Sequence, residues 1–409
     1  MKKLHLLLGT LCLFFHALLA AKELVVATTF SPDTIDYIVR HWQKDFPEQK
    51  IRIINRTSGS LERLLDQPNM EAIDLVLSSS PFLFQHLKDN HRLHDLPQSL
   101  YAHNILIPDI LKPNVTAVAF SGYGILFNKE RLRQQQLSPP TDWDSLMNKA
   151  YYNGIVMSSP SRSSTAHIML EMLLQQRGWQ QGWQDFLTLA SNITFMASRS
   201  FNVTERLKMG LGMAGLSIDT YAAHGKAQQD LDFVYFPYSV ISPTFIAITK
   251  NSNNKTQGET FIQFLLSDKG QAMIANPGAA KLPVQPLALD HPLYALQQKL
   301  LANPTLDYGL LLQRRHLVER LFDVAITFRL STLKESWERL HLIEKQGKIR
   351  EDIRRILSRI PISNAEATDP QFLSRFKHDR AFALQQEKYW AEFFQKQTEQ
   401  AISLLEEKP

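Results

Sequence analysis

Between Glu23 and Asp89 the chain repeats one pattern three times: an apolar run, a hydroxyl-rich turn, then a stretch with apolar residues at helical spacing. "ELVVATTF" leads into "SPDTIDYIVRHWQKDFP", "QKIRIINRTSGSLERLLDQ" contains the second unit, and "AIDLVLSSSPFLFQHLKD" the third. Short apolar runs bounded by polar turns read as buried strands, and the periodic stretch after each turn reads as a helix. Successive strand–turn–helix units imply a parallel sheet with helices packed on it. In such sheets a ligand sits outside the carboxyl ends of the strands. Those ends carry Thr28, Thr29 and Ser31, then Thr57, Ser58 and Ser60, then Ser78, Ser79 and Ser80. Hydroxyls at equivalent positions in all three units predict a binding edge there.

The next apolar run, "VTAVAFSGYGILFNKERL", has glycines at its centre, and a fresh unit begins at "LSPPTDWDSLMNKAYYNGIVMSSP". Residues 121–234 read as a second α/β lobe inserted into a first one, which spans 22–120 and is completed by 235–284. One lobe interrupted by another requires at least two strands to cross between them. Two crossings make a hinge and place the binding cleft between the lobes. The expected fold is therefore α/β and two-lobed, followed by a helical extension over 285–409.

Within the second lobe, "SSPSRSSTAH" stands directly before the helical run "IMLEMLLQQRGW". A helix start provided with spare hydroxyls and an arginine is an anion site; it is also what an over-provided N-cap looks like. Arg162, Ser163, Ser164 and Thr165 are the candidates here, and the next polar strand end adds Arg199 and Asn202. A phosphate ester needs many N–H and O–H donors and one or two guanidinium groups. From the first lobe, Thr29, Ser31, Thr57, Ser58, Ser60, Ser79 and Ser80 supply hydroxyls, with Gly59 allowing close backbone approach. Asp219 suits the hydroxyls of a carbon skeleton rather than a phosphate, or else caps the helix of "TYAAHG". Either arginine could equally be a solvated loop residue.

Lys2 and Lys3, the apolar run "LLLGTLCLFFHALLA" and the small residues Ala20 and Ala21 have the three-part form of a secretory signal peptide over residues 1–21. The sole cysteine, Cys12, lies inside it, so the mature chain has no disulfide, thiol nucleophile or thiolate metal ligand. A formal charge of +5 without a basic patch interleaved with aromatics does not point to nucleic acid. It favours anionic solutes by weak steering. Neither a G-x-S-x-G elbow nor a phosphate or dinucleotide fingerprint is present, so the chain is expected to be a binding protein rather than an enzyme, with no cofactor.

The span from about Lys22 to Val284 resembles the type II periplasmic solute-binding proteins, in the branch that includes ferric-ion and sugar-phosphate binders. The motifs that carry the resemblance are "SSPSRSSTAH" followed by "GWQQGWQDFLTLASN", then "GLGMAGLSIDTYA", "ISPTFIAITK" and "FIQFLLSDKGQ…AAKLPV". The resemblance implies two lobes that close on a ligand in the periplasm. Ferric-binding members place two adjacent tyrosines where this chain reads "SIDTYAAHG", with a single Tyr221. The adjacent Tyr151 and Tyr152 precede a strand, on the wrong side of the sheet for the cleft, and read as packing residues. His86, His91 and His94 lack a completing carboxylate set and read as a surface cluster, so no metal site is expected. The expected ligand is a small phosphorylated metabolite of the phosphoglycerate or sugar-phosphate kind, bound by a monomer.

The helices after Gln285 are amphipathic and heavily charged. They read as a buttress on one lobe, as a docking surface for a membrane sensor-kinase ectodomain, or as both. The resemblance implies a regulatory role in inducing a transporter; the alternative is the binding subunit of an ABC importer for phosphate esters or ferric ion, presented to its permease.

Overall fold

In the computed structural model the described residues are 23–67, 73–102, 104–226 and 230–406; the expected signal peptide lies outside them. The strands are β1 (Leu24–Thr28), β2 (Ile51–Asn55), β3 (Leu75–Ser78), β4 (Thr116–Asn128), β5 (Ile155–Ser158), β6 (Ile193–Ala197), β7 (Ala214–Ile218), β8 (Leu231–Tyr235), β9 (Ile241–Ile248) and β10 (Leu282–Pro283). β1 pairs in parallel with both β2 and β3, as three consecutive crossover units require. Leu24 and Val26 face one apolar cluster with Trp42 and Phe261, whereas Val25 and Ala27 face another with Phe84 and Phe245. This period-two alternation puts helices on both faces of the first-lobe sheet.

β4 is the element that joins the lobes. Its first half, Thr116 to Gly122, pairs antiparallel with β9, and its second half, Tyr123 to Phe127, pairs antiparallel with β7. β5 then pairs in parallel with both β7 and β6, completing the second lobe. Glycine is needed at the crossing: a Cβ on Gly122 would lie 2.7 Å from the Tyr235 ring. The Gly122 N–H donates to Asp219 Oδ2 at 2.8 Å, and Tyr235 O–H donates to the same oxygen at 3.1 Å. Asp219 thus braces the crossing.

The start of the extension packs on the first lobe through Leu293, Leu296 and Leu300, and from Leu311 on it is built into the second lobe. Leu317, Phe322, Trp337, Trp390 and Phe394 belong to one apolar cluster with Trp143, Trp179, Trp183 and Phe186 of that lobe. Phe322 meets Phe186 edge-on at 5.6 Å, and Trp179 Nε1 donates to the carbonyl of Ile362 at 3.0 Å. Helix Ser164–Arg177 lies between the second-lobe sheet and these helices, and every residue from Ala166 to Leu174 is buried. Its one buried carboxylate, Glu171, is held in a fork by Arg314 at 2.6 and 2.8 Å. No helix among the described residues is long and apolar enough to cross a membrane.

Candidate functional site

Three helix starts meet between the lobes. Helix Ser58–Asp66 is capped by Thr57, helix Pro81–Asp89 by Ser80 and helix Ser164–Arg177 by Ser163, each through its side-chain oxygen. Ser164 Oγ donates to Ser80 Oγ at 2.7 Å, and the Ser58 hydroxyl lies 3.1 Å from that of Ser164. Each helix start presents free N–H groups and the positive end of a helix dipole. Their convergence concentrates positive potential on one point from both lobes, a geometry suited to an anion.

Arg199 crosses the cleft beside this point. Its guanidinium donates to Asn55 Oδ1 at 3.0 Å and to the carbonyls of Thr29 and Arg56 at 3.0 and 3.2 Å, all on the first lobe. Burial pushes its pKa down from the usual arginine value, with Tyr221 opposing the shift. Thr29, Thr57, Ser58, Ser79 and Ser80 line the cleft from the first lobe. Arg162, Ser163, Ser164, Thr165 and Arg199 line it from the second. Arg162 is exposed at the rim. With the lobes in direct contact the free volume is about 50 Å³, so the lobes must part to admit a metabolite.

Four expected residues stand elsewhere. Ser31 is buried at the start of helix Pro32–Asp45, where its hydroxyl lies 3.0 Å from that of Thr34 and makes no cap to the helix backbone. Ser60 lies inside its helix, where its N–H donates to Thr57 Oγ1. Asn202 donates to Ser198 Oγ at 3.2 Å on its own side of the lobe. Asp219 turns to the crossing strands, where Gly122 and Tyr235 occupy it, and burial raises its pKa. The cleft also holds Tyr221, the lone tyrosine of "SIDTYAAHG", and residues that sequence reading passed over: Phe30, Phe201, Thr220 and Lys281. Lys281 sits within the "AAKLPV" motif, but nothing in its immediate sequence shows that the chain returns there to the cleft floor.

Tyr151 is buried and donates its hydroxyl to the Ser138 carbonyl at 2.9 Å, and Tyr152 meets His341 of the extension. His86 pairs with Asp66 at 2.9 Å. Among the described residues no group of three or more His, Cys, Asp or Glu side chains is placed to hold a metal ion. A larger cavity of about 850 Å³ lies behind the crossing strands, lined mainly by alanine, proline and leucine side chains. It lacks the converging helix starts, so the interlobe cleft is the better anion site.

This chain matches the bacterial extracellular solute-binding proteins over residues 71–308. The chain belongs to that family. The solute-binding protein is also 44% identical, over 95% of its length and 98% of the relative's, to the phosphoglycerate transport regulatory protein PgtC of Salmonella typhimurium (strain LT2). Among solved structures it is similar to the periplasmic binding protein AfuA of Actinobacillus pleuropneumoniae with fructose 6-phosphate bound. The TM-score is 0.62 at 18% identity, covering 74% of this chain and 97% of that one. It is likewise similar to apo ferric ion-binding protein A of Pasteurella haemolytica, with a TM-score of 0.60 at 15% identity, covering 74% and 97%. These two likenesses show the two-lobed fold of the type II periplasmic binding proteins. About a quarter of the solute-binding protein lies outside each match.

Proposed function

We propose that this periplasmic solute-binding protein captures a phosphoglycerate, or a related small phosphate ester, and reports it to a membrane sensor that induces the matching transporter. The meeting of three helix starts at Ser58, Ser80 and Ser164 carries the ligand reading. A phosphate presents several acceptor oxygens to such a point, and Arg199 adds a guanidinium already aimed across the cleft. The name of the 44%-identical relative supports the same ligand and a regulatory role. Calorimetry of the mature protein against 3-phosphoglycerate, fructose 6-phosphate, inorganic phosphate and ferric citrate tests it. The expected result is micromolar binding of phosphoglycerate, about −8 kcal/mol. Ferric binding with no response to any phosphate ester overturns it.

Arg199→Ala should weaken that binding by about 1.5–3 kcal/mol, against about 1 for removing a single neutral hydroxyl. Calorimetry on Arg199→Ala and Thr165→Ala checks the order; a larger loss from Thr165→Ala would move the phosphate elsewhere.

The extension supplies the regulatory half of the reading. Arg314 holds Glu171 in the second-lobe helix that starts in the cleft, while the adjacent Arg315 reaches Glu62 at 2.9 Å on a first-lobe helix that also starts there. One short piece of the extension therefore grips both helices behind the ligand, and opening the lobes separates Arg315 from Glu62. A receptor docked on these helices reads closure through that contact, within the limit of the ligand's differential affinity for the two states. Glu62→Gln should leave ligand binding within about tenfold and reduce induction of a transporter reporter in cells. Unchanged induction together with failed uptake would favour the importer-subunit role.

A further inference from the structure

Lys281 places an ammonium group at the hinge floor of the cleft with only 4% of the residue exposed. Its Nζ lies 3.3 Å from Ser121 Oγ and 3.4 Å from Thr220 Oγ1, and 4.7 Å above the centre of the Phe30 ring. Those partners are neutral. Among the described residues no carboxylate makes a direct ion pair with it; Asp219 is the acid that influences it, with Oδ2 taken by Gly122 and Tyr235 and Oδ1 3.5 Å from the Thr220 hydroxyl that Lys281 also reaches. A buried ammonium whose acid stands one hydroxyl away, with no direct ion pair, is costly, and proteins pair such charges or present them to a ligand. Burial pushes the Lys281 pKa down to about 8, so the group is still mostly protonated at neutral pH.

We propose that Lys281 is the counter-ion for a second anionic group on the ligand, a carboxylate, so that the cleft selects compounds with a phosphate at one end and a carboxylate at the other. The inference rests on the phosphate-ester reading of the cleft and deepens it. The two ends differ in chemistry. At the helix starts many N–H groups converge, which suits the several oxygens of a phosphate. At the hinge floor one ammonium and the Ser121 and Thr220 hydroxyls, themselves 2.7 Å apart, offer a small donor set over an aromatic ring. That set matches the two oxygens of a carboxylate, and nearby Asp219 disfavours the higher charge of a phosphate there.

The test compares 3-phosphoglycerate with glycerol 3-phosphate, which keeps the phosphate and replaces the carboxylate by a hydroxymethyl group. The wild type should prefer the carboxylate compound by at least about tenfold, the scale of one charged hydrogen bond. Lys281→Met keeps the apolar stem and removes the charge; it should abolish the preference while binding glycerol 3-phosphate within about threefold of wild type. Lys281→Arg, which restores a cation, should recover part of the preference and serves if Lys281→Met does not fold. Equal losses for both ligands in either variant would mean that Lys281 only shapes the hinge, and would overturn the assignment. A wild type that binds both esters without preference overturns it too, leaving the phosphate-ester reading intact. A wild type that binds neither ester overturns both.

Discussion

Glu171→Ala lowers the stability of the protein by about 3–5 kcal/mol, the scale for removing one partner of a buried ion pair. Glu171 is fully buried and Arg314 is 2% exposed, so the orphaned guanidinium has no water to turn to. Trp179 lies 5.1 Å from the same guanidinium. Five of the six tryptophans belong to the cluster that surrounds the pair, so tryptophan fluorescence during urea unfolding reports this region directly. A midpoint unchanged from wild type would contradict the packing described here. Glu171→Gln, which keeps one acceptor oxygen for Arg314, should lose less.

Truncation before Asp307 should leave the second lobe unable to hold its fold. The deletion strips helix Ser164–Arg177 of its outer cover and exposes Trp179, Trp183 and Phe186. Each large apolar side chain returned to water costs about 1.5–3 kcal/mol, and a few of them equal the whole stability of a typical domain. The truncated chain is expected to aggregate or to bind apolar dye, and to lose ligand binding with its fold. A soluble truncation that binds phosphoglycerate normally would show that the extension is a separate appendage. For the same reason the signalling role is better tested by single substitutions such as Glu62→Gln than by deletion.

The first-lobe sheet was legible because three strand–turn–helix units succeed one another without interruption, and their hydroxyl-rich ends do face the cleft at Thr29, Thr57, Ser58, Ser79 and Ser80. Ser31, Ser60 and Asn202 were indistinguishable from these by residue type. What separates them is where the turn points each side chain: Thr57 and Ser80 cap their helices and still line the cleft, whereas Ser31 bonds Thr34 and Asn202 bonds Ser198. Asp219 misled for a different reason. Its partner, the Gly122 N–H, is 97 residues away in the chain and meets it only at the crossing of β4. Lys281 was illegible for the same long-range reason. The helix "STAHIMLEMLLQQR" did hold an unread signal: six of the seven residues from Ile168 to Leu174 are apolar, too many for one stripe, and only a second cover explains that. The amphipathic helices after Gln285 supply the cover, and Glu171 inside the apolar run anticipates a buried partner such as Arg314.

The ligand proposal depends above all on the phosphate sitting where the helix starts at Ser58, Ser80 and Ser164 meet. Ser164→Asp places a carboxylate at that point while keeping a good first residue for the helix, and Ser164→Asn is its neutral isostere. The measurement is the dissociation constant of 3-phosphoglycerate for both variants by calorimetry, with thermal melting as the control for folding. Ser164→Asn should bind within about tenfold of wild type and Ser164→Asp should lose at least about a hundredfold, with both melting near the wild type. Wild-type affinity in Ser164→Asp would contradict this placement of the phosphate.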